Sequence, residues 1–206
     1  MSDKVDFTKT LDAYRAKRGE FRVLDVPPLQ YLMVDGHGNP NSPPAYAEAL
    51  ATLYPVAYTL KFASKKDGRD YVVPPLEGLW WADDMDSFTS ARDKSQWHWT
   101  MMLLVPEWLG ATEVEAAMAK VAAKDAPAGL DDLRLSILQE GLCVQTLHLG
   151  SFDDEAHVLE RMHREVIPTH GLRMTGRHHE VYFTDPRRTT PERQRTLLRP
   201  PVARVP

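Results

Sequence analysis

The sequence predicts a pseudo-duplicated α+β fold, with helices on one face of antiparallel sheet and a cleft where two halves meet. The order strand, helix, strand pair occurs twice, and LQYLMVDGHGNPNSPPAYAEAL and VQTLHLGSFDDEAHVLERM share a succession of strand, glycine turn, cap and amphipathic helix despite weak identity. Stretches rich in aromatic and β-branched residues, bounded by Gly and Pro, alternate with stretches whose apolar residues recur every third or fourth position. A chain of 206 residues with 43% hydrophobic content can bury one substantial core. The reading is therefore a single domain over residues 1–206, with pseudo-repeats at roughly 21–105 and 133–200.

Each element follows from local chemistry. Phe7, Leu11 and Tyr14 are spaced for a short amphipathic helix over Asp6 to Lys17. The run from Phe21 reads as a strand broken by Pro27 and Pro28, resumed through Leu29 to Val34 and ended by Gly36 and Gly38. Ser42 is a good N-cap, and Pro43 and Pro44 suit a first helical turn, where a missing N–H costs nothing. Tyr46, Leu50, Leu53, Ala57 and Leu60 form the stripe of that helix, and Pro55 inside it predicts a kink or two short helices. Past the polar turn SKKDGRD, the runs DYVVPPLEGLWWADD and QWHWTMMLLVP read as paired antiparallel strands, with a short helix near Ser87 to Arg92 between them.

Thr112 to Lys124 forms an alanine-rich helix, and APAGLDDL after it reads as the hinge between halves. The second half then gives GLCVQTLHLG as strand, SFDDEAHVLERMHREVIPTHG as helix and RMTGRHHEVYFTD as strand. Ser151 or Asp153 caps this helix, Val158, Met162 and Val166 form its stripe, and Pro168 with Gly171 stops it. The arginine-rich stretch from Thr190, with Pro191 at its first turn, reads as a solvated C-terminal helix.

Composition narrows the function classes. The net charge is −4 with no block of like charges, which leaves no footprint for direct nucleic-acid binding. The single cysteine, Cys143, cannot close an internal disulfide and fits a reducing compartment. The polar N-terminus is neither a secretory signal nor an anchor, and no apolar run is long enough to span a membrane, so the expected location is cytoplasmic. No G-x-S-x-G elbow, phosphate-binding loop or dinucleotide fingerprint occurs, and no cofactor is expected. Eight histidines invite a metal reading, but His178 and His179 are adjacent on a strand and point to opposite faces, and no HExxH or CxxC spacing exists. No metal is expected.

Two clusters could carry chemistry. In a strand from Arg177 to Thr184, alternation places His178, Glu180, Tyr182 and Thr184 on one face, and Arg177, His179, Val181 and Phe183 on the other. Glu180 is then flanked by an imidazole and a phenol, poised for proton transfer or for a cationic ligand if the strand is interior; on an edge strand it would face solvent. Four of the five tryptophans, Trp80, Trp81, Trp97 and Trp99, lie within twenty residues of one another on two predicted strands. They form either a wall for a flat apolar or cationic ligand or an ordinary aromatic core.

EGLWW at 77–81, QEGLCVQTLHLGSFDDE at 139–155 and HHEVYFTDPRRTTPERQRTLLRPPV at 178–202 together resemble the GyrI-like small-molecule-binding superfamily, related to the effector domains of multidrug-responsive regulators. The resemblance spans roughly Phe21 to Val202. It implies two tandem β-α-β-β (SHS2-like) units, with a groove between the halves that binds apolar, aromatic or cationic compounds. The family's groove glutamate falls on Glu180 and its tyrosine on Tyr182. Some stand-alone members hydrolyse strained cyclopropane rings with that glutamate, so the resemblance implies Glu180 and Tyr182 as catalytic candidates. Trp80, Trp97, Trp99, His178 and Tyr58 are the ligand-binding candidates beside them. Only about twenty residues precede the first strand, too few for the helix-turn-helix of regulator members. Three readings stand: a binding protein for a small apolar or cationic ligand, a metal-independent detoxifying hydrolase of cyclopropanoid compounds, or an inhibitor that docks on a larger protein. The oligomeric state is not legible in the sequence.

Overall fold

The computed structural model describes residues 4–40, 44–83 and 93–206. In chain order its main elements are α1 (Phe7–Thr10), β1 (Arg22–Val26), β2 (Leu29–His37), α2 (Ala45–Lys66), β3 (Leu76–Trp81), β4 (His98–Leu104) and α3 (Ala111–Asp125). There follow β5 (Arg134–Leu138), β6 (Gly141–Leu149), α4 (Ala156–Arg161), α5 (Ile167–Thr169), β7 (Leu172–Met174), β8 (His178–Tyr182), β9 (Arg195–Arg199) and β10 (Val202–Arg204). The fold class is α+β with antiparallel sheet. The succession β-α-β-β occurs as β2-α2-β3-β4, and again from β6 through α4 and α5 to β8 and β9, with the short β7 inserted.

The chain folds into two compact units that interleave in sequence: Met1–Thr10, Leu29–Pro74 and Trp80–Leu138 form one, and Leu11–Pro28, Pro75–Leu79 and Gln139–Pro206 form the other. In the first unit β2 lies between β4 and β5, antiparallel to both, with Met33 opposite Met102 on one side and Arg134 on the other. β2 runs on through Gly36 to His37 because the Trp99 ring lies on that glycine: a Cβ there would come within 2.0 Å of Cη2. Helix α2 packs on β2 and on α3. Its buried residues include Ala49, Leu53, Val56, Ala57 and Leu60, each large aliphatic contributing about 1.5–3 kcal/mol by leaving water.

In the second unit the strand order is β1-β6-β9-β8, with residues 76–79 of β3 beside β8. β7 and β10 pair separately. The helical run is capped at Ser151, whose hydroxyl donates to Asp154 Oδ2 at 2.7 Å. It passes through a π turn at Met162–Val166, and Met162 and Ile167 pack against Val144, Leu198, Leu172 and Val202. Gly171, at φ +64°, takes the left-handed conformation that ends the run.

Four expectations are corrected. The first is the N-terminal helix, which is one turn, α1, followed by an extended Leu11 and a separate 3₁₀ turn at Asp12–Tyr14. Its two aromatic anchors serve different units: Phe7 stacks on Trp108, whereas the Tyr14 hydroxyl donates to Glu77. Of the two alternatives at Pro55, two short helices is overturned, because α2 is continuous over 22 residues. The third correction concerns the C-terminal stretch, which holds only a 3₁₀ turn at Pro191–Arg193 and then becomes β9, an interior strand between β6 and β8. Thr196, Leu197, Leu198 and Arg199 are all buried, so a strand covered on both faces shows no alternation to read. Finally, β5 was not anticipated, and the first unit extends through it to Leu138, past the expected hinge. The cap at Ser42 and the helix near Ser87 to Arg92 lie outside the described residues.

Candidate functional site

Strand β8 is flanked by β9 and β3, so Glu180 is not on an edge. The register places His179 opposite Arg199, Glu180 opposite Leu198 and Tyr182 opposite Thr196. Alternation therefore gives the two faces expected from sequence, and both lie within the second unit.

One face carries the candidate site. Glu180 is 8% exposed, and its Oε2 accepts a hydrogen bond from the Tyr182 hydroxyl at 2.7 Å. The Nε2 of buried His178 lies 3.4 Å from Oε1. Phe152 holds the Tyr182 ring edge-to-face at 5.7 Å, fixing the hydroxyl that reaches the carboxylate. His163, from the π turn, stands perpendicular to His178 at 6.4 Å. Burial, with the nearby His178, pushes the His163 imidazole down to about 4. No lysine or arginine pairs with Glu180 among the described residues, so its neighbours offer dipoles and an imidazole but no permanent positive charge. A buried carboxylate so placed can accept a cationic group or take a proton from a bound water.

The opposite face of the same strand holds a cluster that the sequence reading did not identify. His179 is fully buried, with Nε2 2.9 Å from Glu77 Oε2 and Nδ1 2.9 Å from Glu140 Oε1. The Arg199 side chain places Nε 3.2 Å from Glu140 Oε2 and donates from Nη1 to the Ala13 carbonyl at 3.0 Å. The Tyr14 hydroxyl donates to the other oxygen of Glu77. Burial by itself would push the His179 imidazole down, but the Glu140 charge and the hydrogen bonds to both carboxylates hold it above its ordinary value. Burial likewise raises Glu140, and the charges of His179 and Arg199 outweigh it and hold the carboxyl below the usual range. Two carboxylates thus face a guanidinium and an imidazole that they hold toward its charged form. The signal available in the sequence was Glu77, a carboxylate inside the apolar run LEGLWW.

The remaining candidates belong to the first unit. Trp80 is buried and meets Trp97 edge-to-face at 5.9 Å. Trp99 is 1% exposed, seated on Gly36, edge-on to Tyr46, with its indole N–H donating to the Gly38 carbonyl at 3.2 Å. Its partners are those of a core residue. Tyr58 is 47% exposed on α2, stacked between Tyr54 and Phe62. No helix among the described residues is long and apolar enough to cross a membrane.

Comparison with known proteins matches the GyrI-like small molecule binding domain to residues 19–203. An uncharacterized conserved protein from Listeria innocua is 37% identical and superposes with a TM-score of 0.88, covering 97% of this chain and 100% of that one. A hydrolase from Listeria innocua is 36% identical with a TM-score of 0.84, again over 97% of this chain and 100% of that one. Another hydrolase from the same organism is 35% identical with a TM-score of 0.85, covering 98% and 100% respectively. Among curated proteins none matches the chain significantly. With the domain matched across residues 19–203, the chain belongs to the GyrI-like small-molecule-binding family.

Proposed function

We propose that Glu180 and Tyr182 form the polar end of a site for a small, largely apolar ligand that carries a cationic or electrophilic centre. The observation that supports this most directly is the Tyr182 hydroxyl on Glu180 Oε2 at 2.7 Å, on a buried carboxylate that has no lysine or arginine partner among the described residues. A carboxylate kept from water without a cation is costly unless something bound supplies the missing charge or proton. Tyr182 orients Glu180 through Oε2, and the ligand's charged centre meets Oε1 beside the His178 ring. Fluorescence polarisation with a cationic aromatic dye, rhodamine 6G, tests this. Saturable binding should weaken by roughly ten-fold or more in Glu180→Gln, the scale of a lost charged contact. Equal affinities in the two proteins would remove the reading.

A second reading is favoured by the two Listeria hydrolases at 36% and 35% identity, which match nearly the whole chain. In it the chain hydrolyses a strained-ring electrophile of the cyclopropanoid kind. Glu180 takes a proton from water as the water oxygen bonds to a ring carbon. The strained C–C bond breaks and its electron pair passes to the conjugated carbonyl of the substrate. Such base catalysis is worth about 10² to 10⁴-fold. Turnover of a cyclopropanoid substrate should fall by that factor in Glu180→Gln, and unchanged turnover would exclude Glu180 as the base.

A further inference from the structure

The second unit contains a cavity of about 390 Å³ whose lining excludes Glu180, Tyr182 and His178. It is bounded by Arg18, Gly19 and Phe21 before and at the start of β1, by Thr146 to Leu149 on β6, and by Asp154, His157, Val158 and Arg161 beside and on α4. Thr146 stands opposite Leu198, and Leu198 opposite Glu180, so the cavity floor is two strands from Glu180, about 10 Å at the usual strand spacing. The volume falls within the range of small-molecule sites.

Its chemistry differs from that around Glu180. Thr146 is 1% exposed, yet its hydroxyl has no hydrogen-bond partner among the described residues. A buried hydroxyl left unpaired is costly unless a ligand or water completes it. The neighbouring His148 turns its Nε2 to the Ser151 carbonyl at 2.9 Å. The lining also includes two arginines, Arg18 and Arg161. Arg18 has no ion pair among the described residues, and Arg161 lies over the Phe21 ring at 5.1 Å with only a loose 3.8 Å approach to Glu165. The single carboxylate of the lining, Asp154, is held by the Ser151 hydroxyl and amide of the helix cap. Phe21, Leu147 and Val158 supply apolar wall.

We infer that this cavity is a second small-molecule site, one for an organic anion: a carboxylate or phosphate monoester on a small aromatic or aliphatic body. Thr146 donates to one anionic oxygen, Arg18 and Arg161 face the charge, and Phe21 covers the apolar part. The site is independent of the reading given to Glu180, since it shares no residue with it.

Amide-resolved ¹⁵N–¹H NMR of the full chain, titrated with benzoate, phenyl phosphate and benzylamine, tests the inference. Benzoate or phenyl phosphate should shift Thr146, His157 and Val158 saturably, and whichever binds more tightly names the anion. Benzylamine, of similar shape and opposite charge, should not shift them. The Arg18→Ala/Arg161→Ala double variant should weaken the anion at least ten-fold, and Thr146→Val several-fold. Thr146→Val should also unfold at the same or a higher urea concentration, because the hydroxyl it removes has no partner in the free protein. Equal shifts with benzylamine, no shifts at those amides, an unchanged affinity in the double variant, or a clear loss of stability in Thr146→Val would each overturn the site.

Discussion

On one face of β8, His179 lies between Glu77 and Glu140, the Arg199 guanidinium approaches both carboxylates, and none of the four reaches solvent appreciably. On the other face, one residue along, Glu180 is almost as buried but is met by the Tyr182 hydroxyl and the His178 ring, with no guanidinium or ammonium. The groups are of the same kinds, and the difference is the Arg199 guanidinium, which compensates the carboxylates on one face only. A compensated cluster can be buried permanently and gains little from any ligand, so it serves to hold β8, β9 and residues 76–79 of β3 in register. An unbalanced carboxylate pays a desolvation penalty that a bound cation or a proton relieves, which makes it the face suited to a ligand.

The largest effect that would break this contrast is expected at Arg199. Arg199→Ala leaves Glu140 buried without its guanidinium, and urea unfolding should show a loss of about 3–5 kcal/mol. A loss below about 1 kcal/mol would mean that the cluster is not a stability device. Glu180→Gln should do the reverse. Its unfolding free energy should change by less than about 1 kcal/mol, or rise, while affinity for rhodamine 6G falls by the factor given above. A destabilisation matching that of Arg199→Ala would place both faces in one class.

The cluster also has a pH signature. His179 is held above its ordinary value of 6.5, so its stabilisation is complete below that pH and is lost as pH rises through the raised folded value. Glu140 is held below its ordinary value of 4.5, so its contribution is complete above that pH and is lost as pH falls through the lowered folded value. The advantage of wild type over His179→Gln in urea unfolding should therefore be greatest between about pH 4.5 and 6.5 and shrink on either side. An advantage that grows above pH 7 would reverse the assigned charge of His179.

Smaller effects sharpen the candidate face. Tyr182→Phe removes one hydrogen bond to a carboxylate that a bound ligand also uses, and dye affinity should fall by a few-fold, about 0.5–1.5 kcal/mol, with the melting temperature nearly unchanged. The smallest effect belongs to Tyr58→Ala, expected within about 0.5 kcal/mol in stability because the ring is half-exposed between Tyr54 and Phe62. A matched dye titration of that variant shows whether Tyr58 contributes to binding at all.

Much of the fold was legible because it is written in local patterns. Leu53, Ala57 and Leu60 on α2 and Met162 in the second helical run fall on the buried stripes that their spacing predicts. The Ser151 cap and the stop at Gly171 are chemical signals within a few residues of the ends they mark. β9 and β5 were not legible. Arg195 to Arg199 reads as a solvated arginine-rich stretch until β6 and β8 close over it, and RLSIL at 134–138 carries no turn signal that separates it from the preceding loop.

For the site, the sequence by itself determined that His178, Glu180 and Tyr182 share a face and that His179 does not, because a strand turns successive side chains to opposite sides whatever surrounds it. Only the tertiary structure decided that β8 is interior, that Glu180 is buried, and that His179 meets Glu77 across 102 residues of sequence and Glu140 across 39. The physical reason is range. Alternation is a property of adjacent peptide units, whereas charge balance depends on which distant strands pair, and neither Glu77 nor Arg199 carries a local mark of the partner it will find.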